Sequence, residues 1–592
     1  WNSGPGGDED YAILDGTSFA SPIVAGITAL MLEANGDLGV RDIQEIFALS
    51  SRTIDPQENQ WQTNGANCWN GGGLTWSNNY GSGLVDAHAA VRLAETWFQD
   101  ELFGTGSAIA ATFNNETVAV HADSPGSTIP DNQSSGLTET AVITDDFEVD
   151  QVSVYINIEH GSYRDLSIEL TSPSGTTATL FDRPFGFGDD IEFVFGSTIF
   201  WGEMSVSTWS LKVEDHDSGD VGTLLDWTLS IYGDNHGADD TFIYTNEFGD
   251  AFKDDDSARR TLSDDGGTDT INVSAIDLEG QENSIINLLS GENSAIAGRT
   301  LTIGTNTTIE NVIAGEGNDI ITGNSSDNNL FGGRGTDWFE GGAGNDLIFG
   351  GRGIDTAFYG NAGGGVTVDL GITDFQSIGG GQGFDALRDI EYLIGSDHND
   401  TLKGSASDNV LKGGAGDDFL RGREGIDTAR YDDALAGVSI DLANKKYQVV
   451  SSDQGSDRFS DIENLLGSIF DDSLRGSDDG NVLDGGLGND LIEGRGGHDL
   501  LDGGSGDDTL LGGQGRDTYD GGSGIDTAVF EDATRGVLVD LEISGIQAIR
   551  GGLGSGAFID IEQLVVSSFD DILTGSAGDN HLDGGDGNDT LN

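Results

Sequence analysis

The stretch Gly503-Gly504-Ser505-Gly506-Asp507-Asp508-Thr509-Leu510-Leu511 decides the reading of residues 314–592. Glycines hold its positions 1, 2 and 4, an aspartate holds position 6 and an apolar residue holds position 8. The pattern G-G-x-G-x-D-x-U-x, with U apolar, then restarts at Gly512. Working outward, such nonapeptides tile 314–358, 395–430, 467–529 and 566–592 in runs of five, four, seven and three, nineteen in all. Position 8 is apolar throughout (Ile321, Phe339, Leu420, Leu510) and falls to alanine only at Ala357, Ala429 and Ala528, each ending a run. Position 6 is Asp fifteen times and Asn at Asn328, Asn409, Asn481 and Asn580. A solvated Gly/Asp linker has no reason to keep an apolar residue at every ninth place.

The residue types suit one chemistry. Glycines allow positive φ and a tight turn whose carbonyls face inward, and the position-6 carboxylate completes the all-oxygen shell that Ca²⁺ prefers. The next three residues make a short strand with position 8 inside. Two nonapeptides form an 18-residue coil, and stacked coils build two parallel sheets. The candidate calcium residues are Asp319, Asp337, Asp346, Asp355, Asp400, Asp418, Asp427, Asp472, Asp490, Asp499, Asp508, Asp517, Asp526, Asp571 and Asp589. This repeat closely resembles that of the RTX family. The resemblance implies a bacterial protein exported unfolded by type I secretion machinery, which folds in extracellular calcium.

Three interruptions, 359–394, 431–466 and 530–565, are each 36 residues long and carry a strand followed by an Asp-Ile-Glu turn at Asp389, Asp461 and Asp560. Thirty-six is two 18-residue coils, so one expectation is that the roll runs through them as calcium-free coils. The other is a duplicated insert whose length is accidental.

Composition narrows the partners. Acidic residues outnumber basic ones 103 to 26, for a net charge of −77, which makes nucleic acid and anionic membranes poor partners on charge alone. Gly supplies 93 of 592 residues, about twice its usual share of roughly 7%. No apolar run approaches the ~20 residues that span a bilayer, so no membrane insertion is expected. A single cysteine, Cys68, excludes an intrachain disulfide framework. Residues 98–108 read as a linker. Residues 109–233 read as short alternating strands of an all-β sandwich, and 234–313 as a segment leading into the roll at 314–592. Asp240–Thr245, Gly266–Ser274 and Ile309–Gly317 resemble the segment before the roll in serralysin-type metalloproteases, yet no H-E-x-x-H occurs in the chain.

Residues 16–22, Gly-Thr-Ser-Phe-Ala-Ser-Pro, precede the apolar helix Ile23–Ala34. Ser18 then sits at a helix N-terminus, where free N–H groups and the helix dipole favour negative charge, and its own N–H can donate to an oxyanion. This is the G-T-S-x-A-[ST]-P nucleophile motif, and the chain resembles subtilisin-like serine proteases. Leu32–Asn35, Arg41–Gln44, Trp61–Gly65 and Tyr80–Ala87 resemble the kexin/furin branch. Asp165–Thr176, Trp209–Asp215 and Asp220–Gly233 resemble its P domain. Phe19 stands where that branch usually has Ala. The resemblance implies that 1–97 is the C-terminal part of an α/β peptidase domain and that 109–233 is a jelly-roll P domain. It also implies that Ser18 is the nucleophile toward a protein or peptide substrate. The triad Asp and His precede the Ser in this family, so the chain is expected to be a fragment, inactive alone. His88 reads as a surface or capping residue. The competing class is a non-enzymatic extracellular calcium-binding adhesin or surface-layer protein with a relic protease segment.

Overall fold

The computed structural model describes residues 17–53, 61–66, 69, 72–77, 82–97, 117–184, 188–234, 239–250, 258–264, 266–276 and 283–592. The linker expected at 98–108 and Cys68 lie outside them. The chain forms two compact units, Trp1–Ile320 and Ile321–Asn592.

In the first unit, helix α1 (Thr17–Ala34) is apolar enough to pack, and Met31 is fully buried. It is helical from Thr17, the first described residue, so Pro22 falls beyond its first turn. Proline has no N–H, so the carbonyl of Ser18, four residues back, loses its usual helical partner. Helix α2 (Val40–Ser50) is capped by the Asp42 carboxylate, which accepts from Gly39 N at 2.5 Å. Helix α3 (Ala87–Glu95) starts at Asp86, whose carboxylate accepts from the N–H groups of His88 and Ala89. The His88 ring faces Glu316, with Nε2 at 3.3 Å from Oε1. Met31, Ile46, Trp69, Ala90 and Leu93 share one core with Trp201, Ile243 and Ala275.

Residues 117–234 form two antiparallel sheets. One orders Leu137–Ile143, Ser207–Asp215, Leu166–Thr171 and Thr177–Asp182. The other orders Thr117–Asp123, Gly222–Asp234, Glu148–Glu159 and Ile191–Ser197, with Ser127–Ile129 also on Gly222–Asp234. Alternating residues of both, such as Trp209, Leu211, Val154, Ile156 and Trp227, meet in a single core. Beyond it, Thr241–Thr245, Thr270–Ala275 and Asn311–Ile313 pair in parallel.

The second unit is a stack of three-residue strands. Ser473, Leu491, Thr509 and Thr527 are successive partners at 18-residue steps, all parallel. The position-8 residues Leu474, Ile492, Leu510 and Ala528 lie inside with no exposure. Each 36-residue interruption adds one stacking step, not two. On one side of the roll the sheet passes straight across it, pairing Thr356 with Tyr392, Thr428 with Asn464 and Thr527 with Gln563. On the other side the old sheet ends on a strand from late in the spacer, pairing Leu347 with Ala386, Phe419 with Arg458 and Thr518 with Ala557. A new sheet starts from an early spacer strand, pairing Thr367 with Thr401, Ser439 with Ser473 and Leu538 with Ile572. The surplus residues fold into an antiparallel hairpin. Spacers one and two begin 72 residues apart, an even number of nonapeptides, and break the same side. The third follows 99 residues later, an odd number of nonapeptides, and breaks the opposite side.

Candidate functional site

The turns between the strands carry the chemistry. In the turn 503–508, Gly504 and Gly506 have φ of +89° and +134°. A Cβ on Gly504 would meet Gly486 O at 2.1 Å, so the stacked backbones themselves exclude side chains. The turns bond to one another as strands do: Ser505 N donates to Gly486 O and Ser523 N to Gly504 O.

The position-6 carboxylates form ladders. Each Oδ1 accepts the backbone N–H of the position-6 residue one coil earlier, at 2.7–3.2 Å, as in Asp472→Asp490→Asp508→Asp526. In Asp346, Asp355, Asp418, Asp427, Asp490, Asp499, Asp508, Asp517 and Asp526, Oδ2 is buried and receives no hydrogen bond. It lies over the position-1 glycine, where a Cβ would come within 2.2–2.4 Å of it in the turns opened by Gly413, Gly422, Gly485, Gly494 and Gly503. A buried carboxylate oxygen without a donor is costly, and burial pushes these groups up: Asp418 to about 9, Asp346, Asp490 and Asp499 to about 7, and Asp355, Asp427 and Asp526 to about 6. Nine half-satisfied carboxylates in an oxygen-rich turn fit a hard cation.

The other candidates differ. Ser396 Oγ donates to Asp400 Oδ1 at 2.9 Å, Ser468 Oγ to Asp472 Oδ1 at 2.8 Å and Ser567 Oγ to Asp571 Oδ1 at 2.9 Å. Asp319, in the first unit, accepts from the N–H groups of Ser284 and Gly315. Asp337 donates its N–H to Asp355, and Asp589 accepts from Asp571 N.

Five ladder members were missed by the nine-residue tiling. Glu391, Glu463 and Glu562 accept the N–H of Asp355, Asp427 and Asp526 on the sheet that crosses each spacer. An Asn follows each by 18 residues, and that spacing was the available clue. Asp385 and Asp457 accept the N–H of Asp346 and Asp418 on the side that breaks. Residues 380–388, Gly-Gly-Gln-Gly-Phe-Asp-Ala-Leu-Arg, are a full consensus copy hidden by its shifted phase.

In the first unit, carboxylate oxygens of Asp240, Asp264 and Asp269 lie within 4.8 Å of one another. Burial, with Asp264 and Glu310 nearby, raises Asp269 to about 7. Ser18 is the second residue of α1; its side chain and Gly16 lie outside the described residues.

Residues 3–83 match the subtilase family and 149–231 the proprotein convertase P-domain. The RTX calcium-binding nonapeptide repeat matches within 305–357, 394–429, 459–528 and 561–592. Proprotein convertase subtilisin/kexin type 6 of Rattus norvegicus is 34% identical over 37% of this chain and 23% of its own length. Protease KEX1 of Kluyveromyces lactis is 29% identical over 37% of this chain and 28% of its own. The crystal structure of the Aeromonas sobria serine protease is 24% identical over 37% of this chain and 44% of that one, with a TM-score of 0.29. The chain thus carries segments similar to a kexin-type subtilase and its P domain, followed by repeats that match the RTX calcium-binding nonapeptide. It spans about a quarter of the length of these curated relatives, 23% and 28%.

Proposed function

We propose that the protein is a secreted, calcium-dependent, subtilisin-like serine endopeptidase with Ser18 as nucleophile. The observation that carries the enzymatic reading is the Gly-Thr-Ser-Phe-Ala-Ser-Pro motif opening an apolar helix, with a P-domain sandwich following in the same unit. Ser18 attacks the scissile carbonyl, its proton passes to the family's histidine, and water hydrolyses the acyl-enzyme. The free N–H groups of the first turn of α1 suit the developing oxyanion. The shared core of the helices with Trp201 supports a stabilising role for the sandwich.

The nine open aspartates are the calcium-holding side chains of the roll, the ion supplying positive charge to carboxylates that lack a donor. Export by type I machinery, unfolded, follows from the resemblance. The test is a longer chain that includes the segment ahead of Ser18: it hydrolyses peptides in calcium, and Ser18→Ala abolishes turnover while leaving the circular dichroism unchanged. Turnover that survives Ser18→Ala would remove the serine from its role. The 592-residue chain by itself is expected to leave peptides uncut and Ser18 unlabelled by a fluorophosphonate.

A further inference from the structure

The hidden copy at 380–388 satisfies the repeat pattern in full, and by sequence alone Asp385 is as good a calcium residue as Asp508. Its surroundings say otherwise. Asp385 Oδ1 takes the N–H of Asp346, as every ladder member does, but Oδ2 accepts the buried hydroxyl of Tyr359 at 2.9 Å. The second spacer repeats the arrangement: Tyr431 donates to Asp457 Oδ2 at 2.6 Å. In the third spacer both partners are gone together. Phe530 stands at the tyrosine position and Gly556 at the aspartate position, and Tyr519, Phe530 and Phe558 fill the space. The hydroxyl and the carboxylate therefore behave as one unit. A tyrosine left without an acceptor, or a carboxylate left without a donor, would be a buried orphan.

The same substitution recurs on the first turn of each new sheet. Asp400, Asp472 and Asp571 each receive a spacer N–H (Val366, Val438, Val537) and a serine hydroxyl from position 2, where seven of the nine open turns have glycine and the other two have Arg423 and Arg495. On the sheet that crosses the spacer, the ladder passes through a Glu and then an Asn. The Asn409 and Asn481 amides donate to the carbonyls of Glu391 and Glu463. At Asp385, Asp457, Asp400, Asp472 and Asp571 the carboxylate thus receives a side-chain hydroxyl where the nine open aspartates have an oxygen with no donor.

We propose that at the spacers the chain's own hydroxyl and amide groups take the place of calcium, so that the roll binds its ions in separate blocks, each ended by metal-free turns. This rests on the calcium reading of the open aspartates, and the experiment separates the two. Calcium bound per full chain is counted by equilibrium dialysis and atomic absorption, with circular dichroism confirming the fold. Asn occurs naturally at position 6, so Asp→Asn is the mildest change. The triple variant Asp490→Asn, Asp499→Asn, Asp508→Asn is expected to lose ions. The triple variant Asp400→Asn, Asp472→Asn, Asp571→Asn is expected to bind as many as the unaltered chain. If the second loses as many as the first, the spacer inference is overturned and the calcium reading stands. If neither loses any, the calcium reading itself fails. In the converse direction, Tyr359→Phe with Tyr431→Phe opens Asp385 and Asp457 at nearly constant shape and is expected to add ions. An unchanged count there overturns the role given to the hydroxyls.

Discussion

Asp508 and Asp571 occupy the same repeat position, yet one buried oxygen of Asp508 has no donor while both oxygens of Asp571 accept from Ser567. Asp508→Ala is therefore expected to weaken calcium binding more than Asp571→Ala. Parallel titrations of the two variants decide it, and equal effects would mean that open oxygens do not mark the sites. The position-6 aspartates were legible because the repeat places them every nine residues. Their sorting was not, because the deciding donors come from elsewhere: Tyr359 lies 26 residues before Asp385, and Ser567 differs from glycine at a position where the repeat tolerates several residues. That a helix opens around residue 18 was legible from seven consecutive residues, whereas the placement of Pro22 beyond its first turn was not. That placement depends on where the helix begins, and the boundary is the least determined feature of a local pattern.

Among elements, the three-residue strand is the unit of the roll, and each contributes one interior side chain. Leu510 has no exposure and packs between Ile492 and Ala528 of the adjoining coils. Leu510→Ala is expected to cost the calcium-loaded roll about 2–5 kcal/mol, the usual range for a fully buried leucine. Thermal denaturation in saturating calcium measures it; an unchanged melting temperature would show that position 8 does not carry the core. The strands and their parallel order were legible because an apolar residue at every ninth place has only one stacked solution. The spacers were half legible. Their length of 36 residues preserves the phase, but one enlarged coil and two thin ones fit that number equally. The hairpin pairings, such as Gln376 with Asp385, decide for the enlarged coil. They link residues whose sequence has no hairpin turn of the Asn-Gly kind, and glycines with positive φ at Gly379, Gly380, Gly381 and Gly383 make the bend instead.

At the scale of the whole molecule, a net charge of −77 meets buried carboxyls that are raised to between about 6 and about 9. A carboxyl that binds its proton more tightly when folded favours the fold at low pH. That contribution is fully present below the ordinary value near 4 and is lost as pH rises through the folded value. Without calcium, the roll is thus expected to melt at a higher temperature at pH 5 than at pH 8, and circular dichroism melts of calcium-free protein test the sign. A rise in stability over the same window would contradict the burial of uncompensated carboxyls.

Calcium is expected to reverse that preference, because it binds the ionised form, and so to make the roll a folding switch. Each nonapeptide orders nine residues around one buried side chain, while ordering costs about 1–2 kcal/mol per backbone residue. Hydrogen bonds between coils recover part of this. The ladders then bring ionised carboxylates into register at successive coils, where like charges repel across a water-poor interior. A structure so thin in apolar burial and so rich in uncompensated charge draws its stability from the ion, and binding becomes coupled to folding. Extracellular calcium modules bind at about 10⁻⁴–10⁻³ M, so the roll is expected to be unfolded at cytosolic calcium and to fold cooperatively outside. Circular dichroism of the full chain against calcium concentration measures it, with the strand signal growing at the expense of coil while the helices and sandwich of the first unit change little. A strand signal that persists undiminished in excess chelator would sink the switch, and with it the physical reason for export in an unfolded state.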